Sequence, residues 1–144
     1  MEKNPTLVVV AAALVDGRGR ILLQQRAAGR QMAGLWEFPG GKVEPAERAE
    51  AALVRELAEE LGIGVEESDL APAAFASAPL GERHLLLLLY LCRAWIGVPR
   101  ALDAAALRWA TPQEMRAMPM PPADVPLVDA LERLLASPDP DEEA

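Results

Sequence analysis

The chain has 144 residues, a net charge of −8 and a single cysteine: length enough for one hydrophobic core, and no basis for a disulfide framework. An acidic balance argues against binding long nucleic acid, and the apolar runs at 7–14 and 85–92 fall well short of the about 20 residues a membrane helix needs. The first run meets a glycine-rich turn too soon for a secretory leader, so a cytoplasmic setting with Cys92 as a buried thiol is expected.

Residues 7–15, rich in valine, read as a strand, and Asp16-Gly17-Arg18-Gly19 reads as a hairpin turn into a second strand at 20–25. A polar connection, 26–34, carries Arg26, Arg30 and Gln31, and 35–38 is short, extended and stopped by Pro39. Gly40-Gly41 then reads as a tight turn, Pro45 suits a first helical turn, and Gly62 stops a carboxylate-rich helix.

In that helix Glu56, Glu59 and Glu60 lie at i, i+3 and i+4, which places three carboxylates on one patch. At about 100° per residue, Glu60 projects within about 20° of Leu53, with Leu57 on its other side, and so points toward the core. A carboxylate there is costly unless it is paired or holds a metal, and Arg55 alone cannot neutralise three. The alternative, a solvated acidic face, leaves the inward projection of Glu60 without a reason. With no Cys or His nearby, these hard oxygen donors favour Mg2+, with Mn2+ possible, over zinc.

Further along, 64–70 is a loop, 71–78 a weakly patterned strand, and a turn at Gly81 feeds a long strand from 83 to about 95. A loop at 97–106 precedes a short extended piece at 107–110. Thr111 and Glu114 form a capping box that opens a short helix toward Met118. Pro119, Pro121 and Pro122 force an extended link, after which Asp124 and Pro126 open a last helix with the stripe Leu127, Leu131, Leu134 and Leu135. No repeat or second domain is visible. Residues 1–136 are expected to form one domain, and 137–144, which carry Asp139, Asp141, Glu142 and Glu143, an acidic disordered tail. Mixed strands with a helix on either side give an α/β fold, an α/β/α sandwich with a mixed sheet.

The series Gly41, Glu47, Arg55-Glu56-Leu57, Glu59-Glu60 and Gly62-Ile63 resembles the Nudix hydrolase signature at all nine fixed positions. The lead-in from Gln31 to Lys42, Arg83-His84 and Pro121-Pro122-Ala123-Asp124 resemble the MutT branch, and the likeness spans about 130 residues, the length of one domain. One departure is Asp124, where MutT enzymes of the 8-oxo-dGTP type typically carry Asn; the surrounding Pro-Ala-Asp-Val-Pro-Leu is closer to relatives acting on CTP, dCTP and modified pyrimidine nucleotides.

The resemblance implies a Nudix fold and a Mg2+-dependent hydrolysis of a nucleoside triphosphate by attack at the β-phosphorus, giving a monophosphate and pyrophosphate. It implies metal held by Glu56, Glu59, Glu60 and the Gly40 carbonyl, and 8-oxo-dGTP as substrate in nucleotide-pool sanitisation and DNA repair, with cytosine nucleotides the alternative. Glu56 is the chosen general base, Glu59 its rival. Asp103, in the 97–106 loop, is either a further catalytic acid or a solvated one. Arg55 orients the cluster with Glu59 as nearest partner, and Glu47 supports the loop. Arg26 and Lys42 are expected on phosphate or ribose and Arg83 on the base, with plain surface placement the alternative for either arginine. Phe38 and Trp36 are core or pocket wall, and His84 makes a structural hydrogen bond. Asp124 either accepts from a base donor or caps the last helix. The expected partner is a small nucleotide for a monomer or homodimer. The rivals are a nucleotide-sugar or dinucleotide hydrolase and a non-catalytic nucleotide-binding module.

Overall fold

The computed structural model describes residues 5–136, so the acidic tail expected at 137–144 lies outside the described residues. Strands β1 (Thr6–Leu14), β2 (Ile21–Gln25), β3 (Trp36–Glu37) and β4 (Gly40–Lys42) precede helix α1 (Ala49–Leu61). Strands β5 (Leu70–Leu80), β6 (Arg83–Cys92) and β7 (Ala106–Ala110) and helices α2 (Pro112–Met115) and α3 (Val125–Ala136) follow.

Four strands form a mixed sheet in the order β4-β1-β6-β5, parallel between β1 and β6 and antiparallel elsewhere. Three more form an antiparallel sheet, β3-β2-β7. Successive side chains on a strand point to opposite faces, and here each face has its own core. Val10, Ala12 and Leu14 of β1, Leu22 of β2 and Tyr90 and Cys92 of β6 pack on one side with Leu53, Leu57 and Leu61 of α1. Ala11 and Ala13 of β1, Ile21 and Leu23 of β2 and Leu87 and Leu89 of β6 pack on the other with Met115, Leu127, Val128 and Leu131. Burial on both faces is why β1 and β6 read as continuous apolar runs. The result is the expected α/β/α sandwich.

Several local expectations change. The turn at 16–19 forms, with the Asp16 carboxylate accepting from the main-chain N–H groups of Arg18 and Arg20. It joins β1 and β2 only through a bridge between Val15 and Ile21, and the two strands belong to different sheets. Gly40-Gly41 is strand β4 and not a tight turn: Gly41 lies opposite Val10 and Gly40 opposite Ala11. A Cβ on Gly40 would fall 1.9 Å from the Val10 carbonyl oxygen, which is why glycine is needed at its φ of 158°.

Helix α1 begins at Ala49 and not at Pro45, because Ala46 adopts φ 65° and the chain turns there. The stop at Gly62 holds, with φ 71° and its N–H on the Ala58 carbonyl. Strand β6 ends at Cys92 rather than near 95, and Ile96 instead pairs with Gly64. In α3, Leu127, Val128 and Leu131 are buried while Leu134 is exposed. No helix among the described residues is long and apolar enough to cross a membrane.

Leu57 holds α1 against the sheet and is fully buried. Leu57→Ala should cost about 2–5 kcal/mol of unfolding free energy in urea titration, and a loss under about 1 kcal/mol would mean that α1 is not anchored through this face.

Candidate functional site

A cleft of about 690 Å³ opens over the edge where β4 and α1 meet, within the size range of small-ligand sites. Its walls are Glu56, Glu59 and Glu60 from α1, Gly40, Gly41 and Lys42 from β4, Gln24 and Arg26 from the end of β2, and Glu37 and Phe38. The 97–106 loop adds Leu102 and Asp103, the β5–β6 hairpin adds Pro79, Leu80 and Leu85, and the segment before α3 adds Pro121 through Asp124.

Arg55 organises the carboxylate side of the cleft. Its Nε and Nη2 donate to the two oxygens of Glu47, each at 2.9 Å. Nη1 donates to Glu56 at 3.0 Å and to Glu59 at 3.4 Å, and Nη2 also reaches the Lys42 carbonyl at 3.2 Å. Every N–H direction of the guanidinium is used. Glu47, and not Glu59, is therefore the nearest partner: the turn at Ala46 brings Glu47 back over the helix, a contact that helical spacing alone does not contain. Glu47 also accepts from the Glu44 N–H at 3.0 Å, which closes the loop as expected. The Arg55 hydrogen bonds, together with that N–H, hold the Glu47 carboxyl down to about 2.

Glu60 does project inward. One of its oxygens accepts from the Gly40 N–H at 2.9 Å and, more weakly, from Gln24 Nε2 at 3.4 Å. Burial pushes its carboxyl up to about 8, with the charges of Glu56 and Glu37 adding to the shift. Burial also raises Glu56, against the pull of Arg55. Glu56 rests on bare backbone, because a Cβ on Gly41 would lie 2.4–2.6 Å from its carboxylate atoms. Glu59 is the outlying member, its side chain 60 % exposed. The three share one wall, yet among the described residues no three acid, His or Cys side chains are already drawn together as a metal-binding set. What does fit a hard divalent cation is the donor chemistry: half-buried carboxylates beside a strand backbone, with more negative charge than Arg55 balances.

At the other end, Asp124 is 7 % exposed, and one carboxylate oxygen accepts from the Phe38 N–H at 3.3 Å. Its side chain does not cap α3. Pro126 has no N–H to offer, and the Leu127 N–H is taken by the Asp124 main-chain oxygen at 3.0 Å. Burial pushes this carboxyl up to about 7, helped by nearby Glu37 and opposed by the Phe38 N–H and Arg26. Phe38 is buried as cleft floor, and Trp36 packs into the α3-side core.

Arg26 is locked: Nη1 donates to Glu37 at 2.9 Å and Nε to the Gln31 carbonyl at 2.6 Å. Asp103 stands at the cleft mouth, paired with Arg30 at 2.7 Å across 73 positions of sequence. Arg83 does not line the cleft; it sits exposed at the tip of the β5–β6 hairpin, opposite Leu80, which does. His84 shares a 2.6 Å hydrogen bond with Ser77, the structural role expected of it. Sequence reasoning passed over Glu37 and Gln24, whose cleft positions follow from the pairing of β2 with β3, Gln24 opposite Glu37. The only sequence sign was a polar pair ending an apolar strand.

Of the shifted carboxyls, Glu47 and Glu60 act on stability in opposite directions. Glu47 is depressed, so its contribution is lost as pH falls from about 4.5 toward about 2. Glu60 is raised, so in metal-free protein stability falls as pH climbs from about 4.5 through about 8. Melting temperature against pH in EDTA should show both arms, and Glu60→Gln should make the alkaline arm shallower, leaving the share that the raised Asp124 contributes, with the acid arm in place.

A family model described as the NUDIX domain matches residues 5–131. The chain is 40% identical over 131 residues to the CTP pyrophosphohydrolase of Escherichia coli (strain K12), covering 91% of this chain and 96% of that protein. It is 34% identical over 128 residues to the 8-oxo-dGTP diphosphatase of the same organism, covering 89% and 98%. The solution structure of the E. coli ORF135 protein superposes with a TM-score of 0.82 at 40% identity, covering 92% and 93%.

Proposed function

The chain belongs to the Nudix hydrolase family, and from that membership we propose that it is a Mg2+-dependent, MutT-like pyrophosphohydrolase that selects nucleoside triphosphates by an N–H donor on the base. Nudix pyrophosphohydrolase activity follows from the family and its named relatives, and Nudix hydrolases use divalent metal ions. The substrate we name is 8-oxo-dGTP, acted on in the cytoplasm as nucleotide-pool sanitisation. The observation that carries the selection is the Asp124 carboxylate turned into the cleft beside Phe38 instead of onto its helix.

Glu56, Glu59, Glu60 and the Gly40 carbonyl would hold the cation, which when bound neutralises phosphate charge and makes water easier to deprotonate. Arg55 fixes Glu56 and Glu59 so that neither carboxylate must be reoriented during the reaction. Glu56, packed on Gly41, takes the proton of the attacking water, with Glu59 as the rival base. Lys42 and Arg26 bind the phosphate and ribose side, and Arg83 at the hairpin tip contributes long-range charge. Asp103 serves as a mouth acid that Arg30 releases when Arg30 turns to a bound phosphate.

Because the Phe38 N–H holds one Asp124 oxygen, the other decides the base contact. Ionised, it accepts; neutral, it donates. The N7–H of 8-oxoguanine and the amino group of cytosine are donors, whereas N7 of guanine is an acceptor. Cytosine nucleotides are the second reading, favoured by Asp124 itself and by the relative named CTP pyrophosphohydrolase.

Pyrophosphate release from 8-oxo-dGTP or dCTP should need Mg2+ and stop in EDTA, and Glu56→Gln should lower kcat by about 10²–10⁴-fold. A larger loss in Glu59→Gln would transfer the base role to Glu59, and activity unchanged by EDTA would defeat the metal reading. A non-catalytic module would release none.

As pH rises through about 7, Asp124 ionises and its free oxygen turns from donor to acceptor. The kcat/KM ratio of 8-oxo-dGTP over dGTP should therefore climb by about tenfold between pH 6 and 8, worth roughly 1.4 kcal/mol. Asp124→Asn should flatten that climb. A flat profile in the parent protein would remove Asp124 from base selection.

A further inference from the structure

Gln24 closes the apolar face of β2 on the α1 side, two residues after Leu22, and is 3 % exposed. A buried amide in a core strand normally has both ends matched by protein groups. Here only one end is. Nε2 donates to Glu60 at 3.4 Å and bears on the Glu37 carboxylate, its cross-strand neighbour. Oε1 is the one buried side-chain polar atom among the described residues that has no hydrogen-bond partner. With Glu60 ionised, as it would be beside a bound cation, the amide cannot be reversed, since that would set its oxygen against a carboxylate oxygen with no donor between them. The orphaned acceptor therefore lies in the cleft wall beside the inward carboxylate of α1.

Glu60 Oε2 is held from two sides, by the Gly40 N–H at 2.9 Å and by Gln24. That leaves its other oxygen for the cleft. A hydrated divalent cation brings what Oε1 lacks, because hard cations retain water molecules whose O–H groups are strong donors. We propose that Gln24 is a positioning residue of the cation site: Nε2 sets the orientation of Glu60, and Oε1 accepts a hydrogen bond from the hydration shell of the bound cation. The proposal rests on reading Glu56, Glu59 and Glu60 as that site. It assigns to β2, an element outside the helical signature, a share in cation affinity.

The test is Gln24→Met, which keeps an unbranched side chain of similar length and removes both polar ends. Mn2+ binding is followed by the electron paramagnetic resonance signal of free Mn2+, and melting temperature is recorded in EDTA. The Kd for Mn2+ should rise by about tenfold, the size typical of losing a partner to a metal ligand. The metal-free melting temperature should stay level or rise, because an unmatched polar group has been removed. A Kd within about twofold of the parent, or a melting temperature that falls along with affinity, overturns the proposal, the second by making Gln24 a structural residue only. A parent protein that binds no Mn2+ overturns the cation-site reading itself. Should the variant not fold, the unmodified protein decides: addition of Mg2+ should shift the Gln24 side-chain carbonyl ¹³C and amide ¹⁵N resonances, and unmoved resonances reject the assignment.

Discussion

The site depends on how closely β4 lies between β1 and α1. Gly40 presses its backbone against Val10, where a side chain would collide with the carbonyl oxygen, and Gly41 presents bare backbone to the carboxylate of Glu56. The absence of two Cβ atoms lets the strand edge and the acidic face of α1 share one wall. It also supplies the Gly40 N–H that meets Glu60 where no side-chain donor reaches as closely. A larger residue at Gly40 would push β4 off β1 and one at Gly41 would push it off α1, and either shift would take from the buried Glu60 its main-chain donor, an expensive state for a carboxylate.

On that foundation Arg55 acts as a rigid connector. Its fork joins Glu47 in the preceding loop, Glu56 and Glu59 on its own helix and the Lys42 carbonyl on β4. A lysine could offer the charge but not the planar set of directions. The helix, the loop and the strand that contribute to the site are thus held in one geometry, so the carboxylates are oriented before any ligand arrives. Charge is left unbalanced in the cleft, where burial works against Glu56 and Glu60 and one arginine serves several acids. A bound cation would relieve that imbalance and would give an anionic ligand a local attraction that net charge denies it.

The far end of the cleft obeys a different logic. Phe38 supplies an apolar floor and a main-chain N–H, while Asp124 supplies a buried carboxyl in the cleft wall that takes that N–H with one oxygen. In the proposed reading, phosphate chemistry and base choice are separated along the cleft, one set by α1 and β4, the other by the segment that enters α3. Between them lies the end of β2, with Gln24 reaching Glu60 and Arg26, just past the strand, tied to Glu37. The same short strand touches both ends.

The periodicity of α1, the inward projection of Glu60, the stop at Gly62 and the capping box at Thr111 were legible in the sequence because each is a local rule of spacing or turn chemistry. The apolar runs of β1 and β6 likewise announced strands, and the helices between and after them the sandwich. What the chain could not declare locally were pairings across distance. Glu47 meets Arg55 only because Ala46 turns the loop, Gly40-Gly41 is a strand only because β1 lies beside it, Asp103 meets Arg30 across the cleft mouth, and Asp124 faces Phe38 because Pro126 gives its carboxylate nothing to cap. Sequence by itself determined which carboxylates share a face of α1 and which of them points inward. The tertiary structure decided which residues touch, because a hydrogen bond depends on positions in space that strand pairing and backbone turns, and not residue spacing, bring together.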